Sequence, residues 1–371
     1  MKDIAIEFIN IIEESGYKAY IVGGFVRDYL LGISSIDIDI TTNATPKDIK
    51  KIFSNVNLKK SDYEDSNYGS VLVIYKNIEF EVTTFREESY YLDNRHPSRI
   101  KYINDLEKDL LRRDFTINTI CMDKNGNIID LLNGEKDLKK KVIRTILDST
   151  KSFHDDSLRI LRAIRFAVTL DFKLDEELIK AIEINGKYLK NISYERKKIE
   201  LDKIFGSSNA KYGIELIKKM NLEKYLELNN LDRVKDYTDL IGIWAMINSD
   251  VYRFTKVEKE LIKKINVVYD LDNLDHFILY KYGLYVNVLA GINKGISKKK
   301  INLEYKKLPI KSKNDINITA QEICEILERV PGSFINVVYK DLEKEILMNN
   351  LKNNKLSLIK FIEKNKEKYF K

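Results

Sequence analysis

Residues 19–42 read AYIVGGFVRDYLLGISSIDIDITT, and three local patterns in this stretch govern how the surrounding chain is read. Ala19–Val22 is a short apolar run that halts at Gly23-Gly24, as a buried strand ending in a turn does. Phe25–Leu31 follows as a short helix, with Gly32 placed to end it. Ile36–Thr42 then alternates Ile-Asp-Ile-Asp-Ile, the period of a strand with one polar face. Upstream, Asp3–Ser15 sets Ile4, Phe8, Ile11 and Ile12 on one helical stripe. Downstream, Pro46 opens a helix that continues through Lys47–Phe53. Val71–Tyr75 and Ile78–Thr84 read as strands joined by a tight hairpin turn at Lys76-Asn77, and polar Arg86–Arg99 reads as a loop. Beyond about residue 142 the strand signals vanish. Helical periods take over at Asp156–Thr169, Glu176–Asn185, Tyr194–Phe205 and Tyr212–Met220. The expected fold is α+β: a head over residues 1–141 with a small mixed or antiparallel sheet and flanking helices, then all-α segments at 142–206, 207–290 and 291–371.

Composition narrows the class. The 371 residues are 44% hydrophobic and 33% charged, ordinary for a globular protein. A mean hydropathy of -0.34 and the lack of an apolar run near twenty residues argue against a membrane span. The N-terminal stretch mixes charges among its apolar residues at helical spacing, unlike a signal peptide. Cys121 and Cys324 lie far apart, and His96, His154 and His276 are scattered, so neither a disulfide framework nor a structural metal site is expected. The expected location is the cytoplasm, with no membrane and no protein partner implied. The net charge of +7 is uneven: Gly291–Lys371 holds 18 Lys and Arg against 10 Asp and Glu. Such a basic tail suits a polyanionic partner, although a coding bias toward lysine would produce it too.

Two clusters in the head carry chemistry. In Gly23-Gly24-Phe25-Val26-Arg27-Asp28, glycines at a strand–helix corner let backbone N–H groups approach an anion, and Arg27 can clamp a phosphate bidentately. Asp37 and Asp39, at i and i+2 on a strand, point to the same side and repel each other unless a cation lies between them. Two Mg²⁺ ions roughly 3.5–4 Å apart would turn that repulsion into the grip that phosphoryl transfer needs. A third carboxylate can come from Glu79 or Glu81, which share a face of one strand; Glu81 is preferred as the deeper of the two. Further on, Asp156, Arg159, Arg162 and Arg165 fan over one side of a helix whose other side holds Ile160, Leu161, Ile164 and Val168.

The ordered set of motifs resembles the class II nucleotidyltransferases, the family of tRNA CCA-adding enzymes and bacterial poly(A) polymerases. The matching segments are GGFVRD and DID in the head, Glu81–Arg86, Arg112–Asn118, Asp155–Phe166, and Ser193–Arg196 with Glu200, together spanning roughly residues 18 to 206. Two departures are mild. Ser157 stands where members usually have Pro, and Asn118-Thr119-Ile120 where they usually have Asn-Ala-Met. The resemblance implies that Asp37 and Asp39 hold two Mg²⁺ ions, with Glu81 completing the carboxylate set. It implies that Gly24 and Arg27 hold phosphates and that Arg113 and Asn118 contact phosphate or sugar, while Arg162 and Arg165, further along the helix, are expected to bind the triphosphate of every nucleotide alike. Asp156 and Arg159 are implied to read the base, and tRNA, CTP and ATP to be the partners, with residues 291–371 as a basic tRNA-binding tail. A poly(A) polymerase, or an enzyme adding only CC or only A, is the alternative. Glu87–Arg99 is similar to the flexible loop of full CCA-adding enzymes, and Tyr68–Val73 also favours that branch. A non-catalytic RNA-binding protein is disfavoured, because the polar groups expected of the family are present.

Overall fold

A computed structural model describes residues 1–54, 69–91 and 97–370. The chain forms two compact units, Met1–Glu227 and Leu228–Lys371. No helix among the described residues is long and apolar enough to cross a membrane.

In the first unit, α1 (Lys2–Glu14) precedes β1 (Ala19–Val22), α2 (Gly24–Leu30), β2 (Ile38–Thr42) and α3 (Pro46–Ile52). The hairpin β3 (Ser70–Tyr75) and β4 (Ile78–Thr84) follows. Its turn residues Lys76 and Asn77 both take positive φ, 49° and 64°, which matches the right-handed twist of the strands it joins. Thr45 caps α3 in a reciprocal capping box with Asp48, with Pro46 in the first turn. With β7 (Cys121–Met122) and β8 (Ile128–Ile129) these strands form a six-stranded mixed sheet of order β3-β4-β2-β1-β7-β8. The β2–β4 pair is parallel, and its register sets Asp39 opposite Glu81. Phe8 of α1 stacks between Phe53 and Phe80, at centroid distances of 4.5 and 4.1 Å, and so ties the helix layer to the sheet.

Four sequence expectations need correcting. The segment read as a loop is a hairpin, β5 (Arg86–Tyr91) with β6 (Pro97–Tyr102), forming its own two-stranded sheet. Its opening run Arg86-Glu87-Glu88 shows no apolar alternation in the sequence. Asp93, Arg95 and His96 of the expected flexible loop lie outside the described residues. The second strand starts at Ile38, so Asp37 lies on the approach to it and not within it. Helix α7 begins at Leu158, not at Asp156. Strand pairing also recurs after residue 142, where β9 (Val142–Ile143) pairs in parallel with β10 (Lys173–Leu174). Two residues are too few to show a period.

The rest of the first unit is α4 (Leu106–Leu111), α5 (Gly134–Lys140), α6 (Ser149–Asp155), α7 (Leu158–Leu170), α8 (Glu176–Asn185), α9 (Tyr194–Phe205), α10 (Ala210–Lys219) and α11 (Glu223–Leu226). The second unit is helical from α12 (Leu240–Ile247) to α18 (Lys355–Lys364). Its core gathers Leu279, Ile301, Ile323, Val338, Leu342 and Leu358.

Candidate active site

Strand β1 delivers the chain to Gly23, whose φ of +78° and ψ of -133° suit glycine alone. A Cβ there would stand 3.3 Å from Asp39 Oδ2. Gly24 has ordinary φ, and its nearest neighbour would be Arg27 Nη2 at 3.7 Å. Gly23, more than Gly24, is therefore the glycine the corner requires. Gly23→Ala is expected to cost about 1–3 kcal/mol and to disturb the Asp39 carboxylate, whereas Gly24→Ala is nearly neutral. Parallel thermal melts of the two variants check this; equal costs would contradict it.

A cavity of about 830 Å³ opens beside this corner. Every site residue expected from the sequence lines it: Gly24, Arg27, Asp37, Asp39, Glu81, Arg113, Asn118, Asp156, Arg159, Arg162 and Arg165. Nine Arg and Lys side chains face eight Asp and Glu around its wall. At the carboxylate end, none of Asp37, Asp39 and Glu81 accepts a hydrogen bond or joins an ion pair among the described residues. Burial, and then the neighbouring Asp37, push the Asp39 carboxyl above its usual range. Glu81 opens to the cavity's water, yet the protein around it, and then Asp39, push its carboxyl up as well. Bare carboxylates that repel one another make a hard-oxygen donor set suited to Mg²⁺. Among the described residues no three His, Cys, Asp or Glu side chains already close around one point. That fits a metal which takes one or two carboxylates from the protein and its remaining ligands from substrate phosphate and water.

The cationic wall is pre-arranged by partners far away in sequence. Arg27 donates to Asn118 Oδ1 at 2.8 Å and to Asp28 Oδ1 at 2.8 Å. Asn118 in turn donates to Asp114 Oδ1 at 3.0 Å, and Arg162 donates to Asp114 Oδ2 at 2.8 Å. Burial works against the Asp114 charge, but Arg162 and the Asn118 amide outweigh it and hold the carboxyl well below its usual range. Arg165 donates to Glu200 Oε2 at 2.6 Å and lies over the Phe166 ring. Below the sheet end, buried Asp109 accepts from Thr41 Oγ1 at 2.8 Å, from the Arg86 backbone N–H at 3.1 Å and from Arg112 Nε at 2.9 Å. Asp109, Asp114 and Glu200 are thus supporting residues that the sequence reading did not assign. Asp114 and Glu200 lay inside quoted motifs, but their pairing with arginines 48 and 35 residues away leaves no local signal.

Asp156 has φ -138° and ψ 97°, extended backbone at the end of α6. It therefore sits ahead of α7, and its Oδ1 accepts from the Leu158 N–H at 3.0 Å. Its Oδ2 stands 3.8 Å from Arg159 Nε. Burial pushes the Asp156 carboxyl up, with Arg159 opposing. Arg159 is pinned by Nη1 on Ser152 Oγ and Nη2 on the Arg112 carbonyl, both at 2.8 Å. Ser157, in place of the family's usual Pro, is fully buried and donates from Oγ to the Tyr188 carbonyl at 3.2 Å.

Three family models match along the chain: the Poly A polymerase head domain at residues 19–144, the probable RNA and SrmB-binding site of polymerase A at 171–231, and a putative tRNA nucleotidyltransferase domain 2 at 249–362. The CCA-adding enzyme of Ligilactobacillus salivarius is 35% identical over 387 residues, covering 96% of this chain and 94% of that relative. The chain belongs to the CCA-adding enzyme family. The CCA-adding enzyme of Lactococcus lactis subsp. cremoris is 34% identical, covering 95% of this chain and 94% of its own. Among solved structures, that of the Bacillus stearothermophilus CCA-adding enzyme in complex with CTP superposes with a TM-score of 0.77 at 26% identity, covering 98% of this chain and 97% of that one. The match to this family's fold spans both compact units, whereas the motifs read from the sequence stop near residue 206.

Proposed function

We propose that this chain adds C, C and A to the 3′ end of tRNA, using CTP and ATP and releasing pyrophosphate. One observation carries the reading: a single cavity joins a bare carboxylate set to a pinned Asp–Arg pair across a wall of arginines. In each cycle the terminal 3′-hydroxyl attacks the α-phosphorus, the new P–O bond forms, and the bond to pyrophosphate breaks.

Asp37 and Asp39 hold Mg²⁺ in this proposal, two ions in all, with Glu81 completing the set. Bound there, the metal lowers the pKa of the attacking hydroxyl and neutralises the charge of the leaving pyrophosphate. Arg27, Arg162 and Arg165 orient the triphosphate, and Arg113 and Asn118 position the sugar and α-phosphate. Because Asp114 and Glu200 hold these guanidiniums in place beforehand, little ordering entropy is lost when the nucleotide arrives. Asp156 and Arg159 read the base edge. Residues 1–141 act as the catalytic head, 142–206 as the base-reading neck and 207–290 as the helical body. The basic stretch 291–371, with exposed Lys298, Lys299 and Lys300 opening α15 (Lys298–Lys306), acts on the tRNA backbone.

The test is Mg²⁺-dependent incorporation of labelled CTP and ATP into tRNA lacking its terminal CCA. Two C residues and one A, then arrest, are expected. A long A tract would mean poly(A) synthesis, addition of C alone or A alone a partial enzyme, and no incorporation a binding protein.

A further inference from the structure

Helix α9 carries two cations into the active-site cavity that the mechanism above does not use, Arg196 and Lys203. With Glu200 they occupy positions i, i+4 and i+7, one face of the helix. Glu200 is already satisfied by Arg165 at 2.6 Å. Every other arginine lining the cavity has an Asp or Glu within 4.0 Å. Arg196 and Lys203 are exposed and have no such partner among the described residues. Two exposed cations on the cavity wall without a carboxylate partner among the described residues suit an anion supplied from outside.

We infer that Arg196 and Lys203 hold backbone phosphates of the RNA strand whose 3′ end enters the cavity. The inference rests on the proposed nucleotidyl transfer and names where the polymer substrate is gripped. Two features favour the strand over the incoming nucleotide. The cations stand two helical turns apart, about 10 Å along the axis, which suits successive phosphates of a strand better than the compact tail of one triphosphate. They also lie on the exposed rim, where a polymer must pass, while the arginines proposed to hold the triphosphate lie deeper and are held by carboxylates.

The experiment measures binding of tRNA lacking CCA by fluorescence anisotropy, with no nucleotide present, between about 50 and 200 mM salt. Arg196→Ala and Lys203→Ala are each expected to weaken binding several-fold and to flatten the plot of log K against log salt by about 0.7, the release from one single-strand phosphate. Arg196→Lys keeps the charge and is expected to recover most of the affinity, which a merely structural loss would not allow. Steady-state kinetics provide the second arm, with KM for the RNA rising and KM for CTP holding. Unchanged RNA affinity and slope overturn the inference. A rise in KM for CTP with RNA binding intact also overturns it, by assigning the pair to the triphosphate. Wild-type protein that fails to incorporate CTP and ATP would instead overturn the proposed activity, a result the nucleotide-free binding arm does not share.

Discussion

Asp39→Ala is expected to lose at least about 10³-fold of nucleotide transfer while the protein stays folded. The functional half follows from position: Asp39 faces Glu81 across the parallel β2–β4 pair and adjoins the Gly23 corner, where a Cβ would come within 3.3 Å of its Oδ2. The structural half follows from what Asp39 lacks. Its carboxylate accepts no hydrogen bond among the described residues, and burial together with the repulsion of Asp37 disfavours its charge. Removing it therefore relieves an electrostatic cost and leaves no donor unpaired, so the melting temperature is expected to hold or rise slightly. The linkage has a definite sign. A carboxyl whose folded pKa lies above its unfolded value destabilises the fold once pH exceeds the unfolded pKa, and Asp39→Asn removes that penalty at neutral pH. Asp37→Ala is expected to behave alike in activity. Single-turnover incorporation of labelled CTP, alongside a thermal melt, reads both halves. Near-wild-type turnover in either purified variant would contradict the carboxylate-metal reading, and inactivity from an unfolded chain would contradict the structural argument.

How much of this was legible beforehand depends on how far apart the cooperating residues lie. Asp39 and the β4 carboxylates could be read because each pattern is complete within seven residues, and a strand's period of two assigns the face; Asp37 reaches the same cavity although it lies just ahead of the strand. The choice of Glu81 over Glu79 could be argued from the sequence only by depth in the strand; the β2–β4 register supplies the direct reason, since Glu81 is the residue opposite Asp39. The β5–β6 hairpin could not be read, because Arg86, Glu87 and Glu88 open it with no apolar alternation, and its pairing is set by the backbone ladder between the two strands. The start of α7 was misplaced because Asp156 continues the helical period in sequence although its backbone is extended. Asp109 was invisible for a third reason. It is a buried acid inside a short helix, and its importance lies in joining Thr41, Arg86 and Arg112, which only the folded chain brings together.

Asp156→Asn is expected to turn the enzyme's preference from CTP toward UTP. With no template, the protein must recognise the base by its pairing edge. Cytosine offers an amino donor beside the N3 acceptor, and adenine an amino donor beside N1; uracil and guanine set a carbonyl acceptor beside an N–H donor. A carboxylate only accepts and a guanidinium only donates, so Asp156 with Arg159 suits the first two bases and leaves unpaired groups against the others. The two side chains are held differently. Arg159 is fixed by Ser152 and the Arg112 carbonyl, each at 2.8 Å, so its remaining N–H groups are held in direction before any base arrives. Asp156 spends Oδ1 on the Leu158 N–H at 3.0 Å, which leaves Oδ2 for the base. In Asp156→Asn the side-chain oxygen can keep the bond from the Leu158 N–H, while the amide NH₂ replaces Oδ2 and turns an acceptor into a donor. The cytosine amino group then meets a donor, and the uracil carbonyl gains a partner. Each mismatch in a desolvated site costs about 1–3 kcal/mol, so the ratio of kcat/KM for CTP over UTP should fall by roughly 5- to 150-fold. Asp156→Ala removes the acceptor without supplying a donor, so it should relax selection without reversing it, and it should also lose about 1 kcal/mol of stability with the hydrogen bond from the Leu158 N–H. Arg162→Ala and Arg165→Ala should raise KM for CTP, ATP, UTP and GTP together, because guanidiniums held by Asp114 and Glu200 meet the triphosphate that all four nucleotides share in the proposed arrangement. Single-nucleotide kinetics with all four triphosphates separate these outcomes. Unchanged selectivity in both Asp156 variants would mean that the base is read by other groups on the cavity wall.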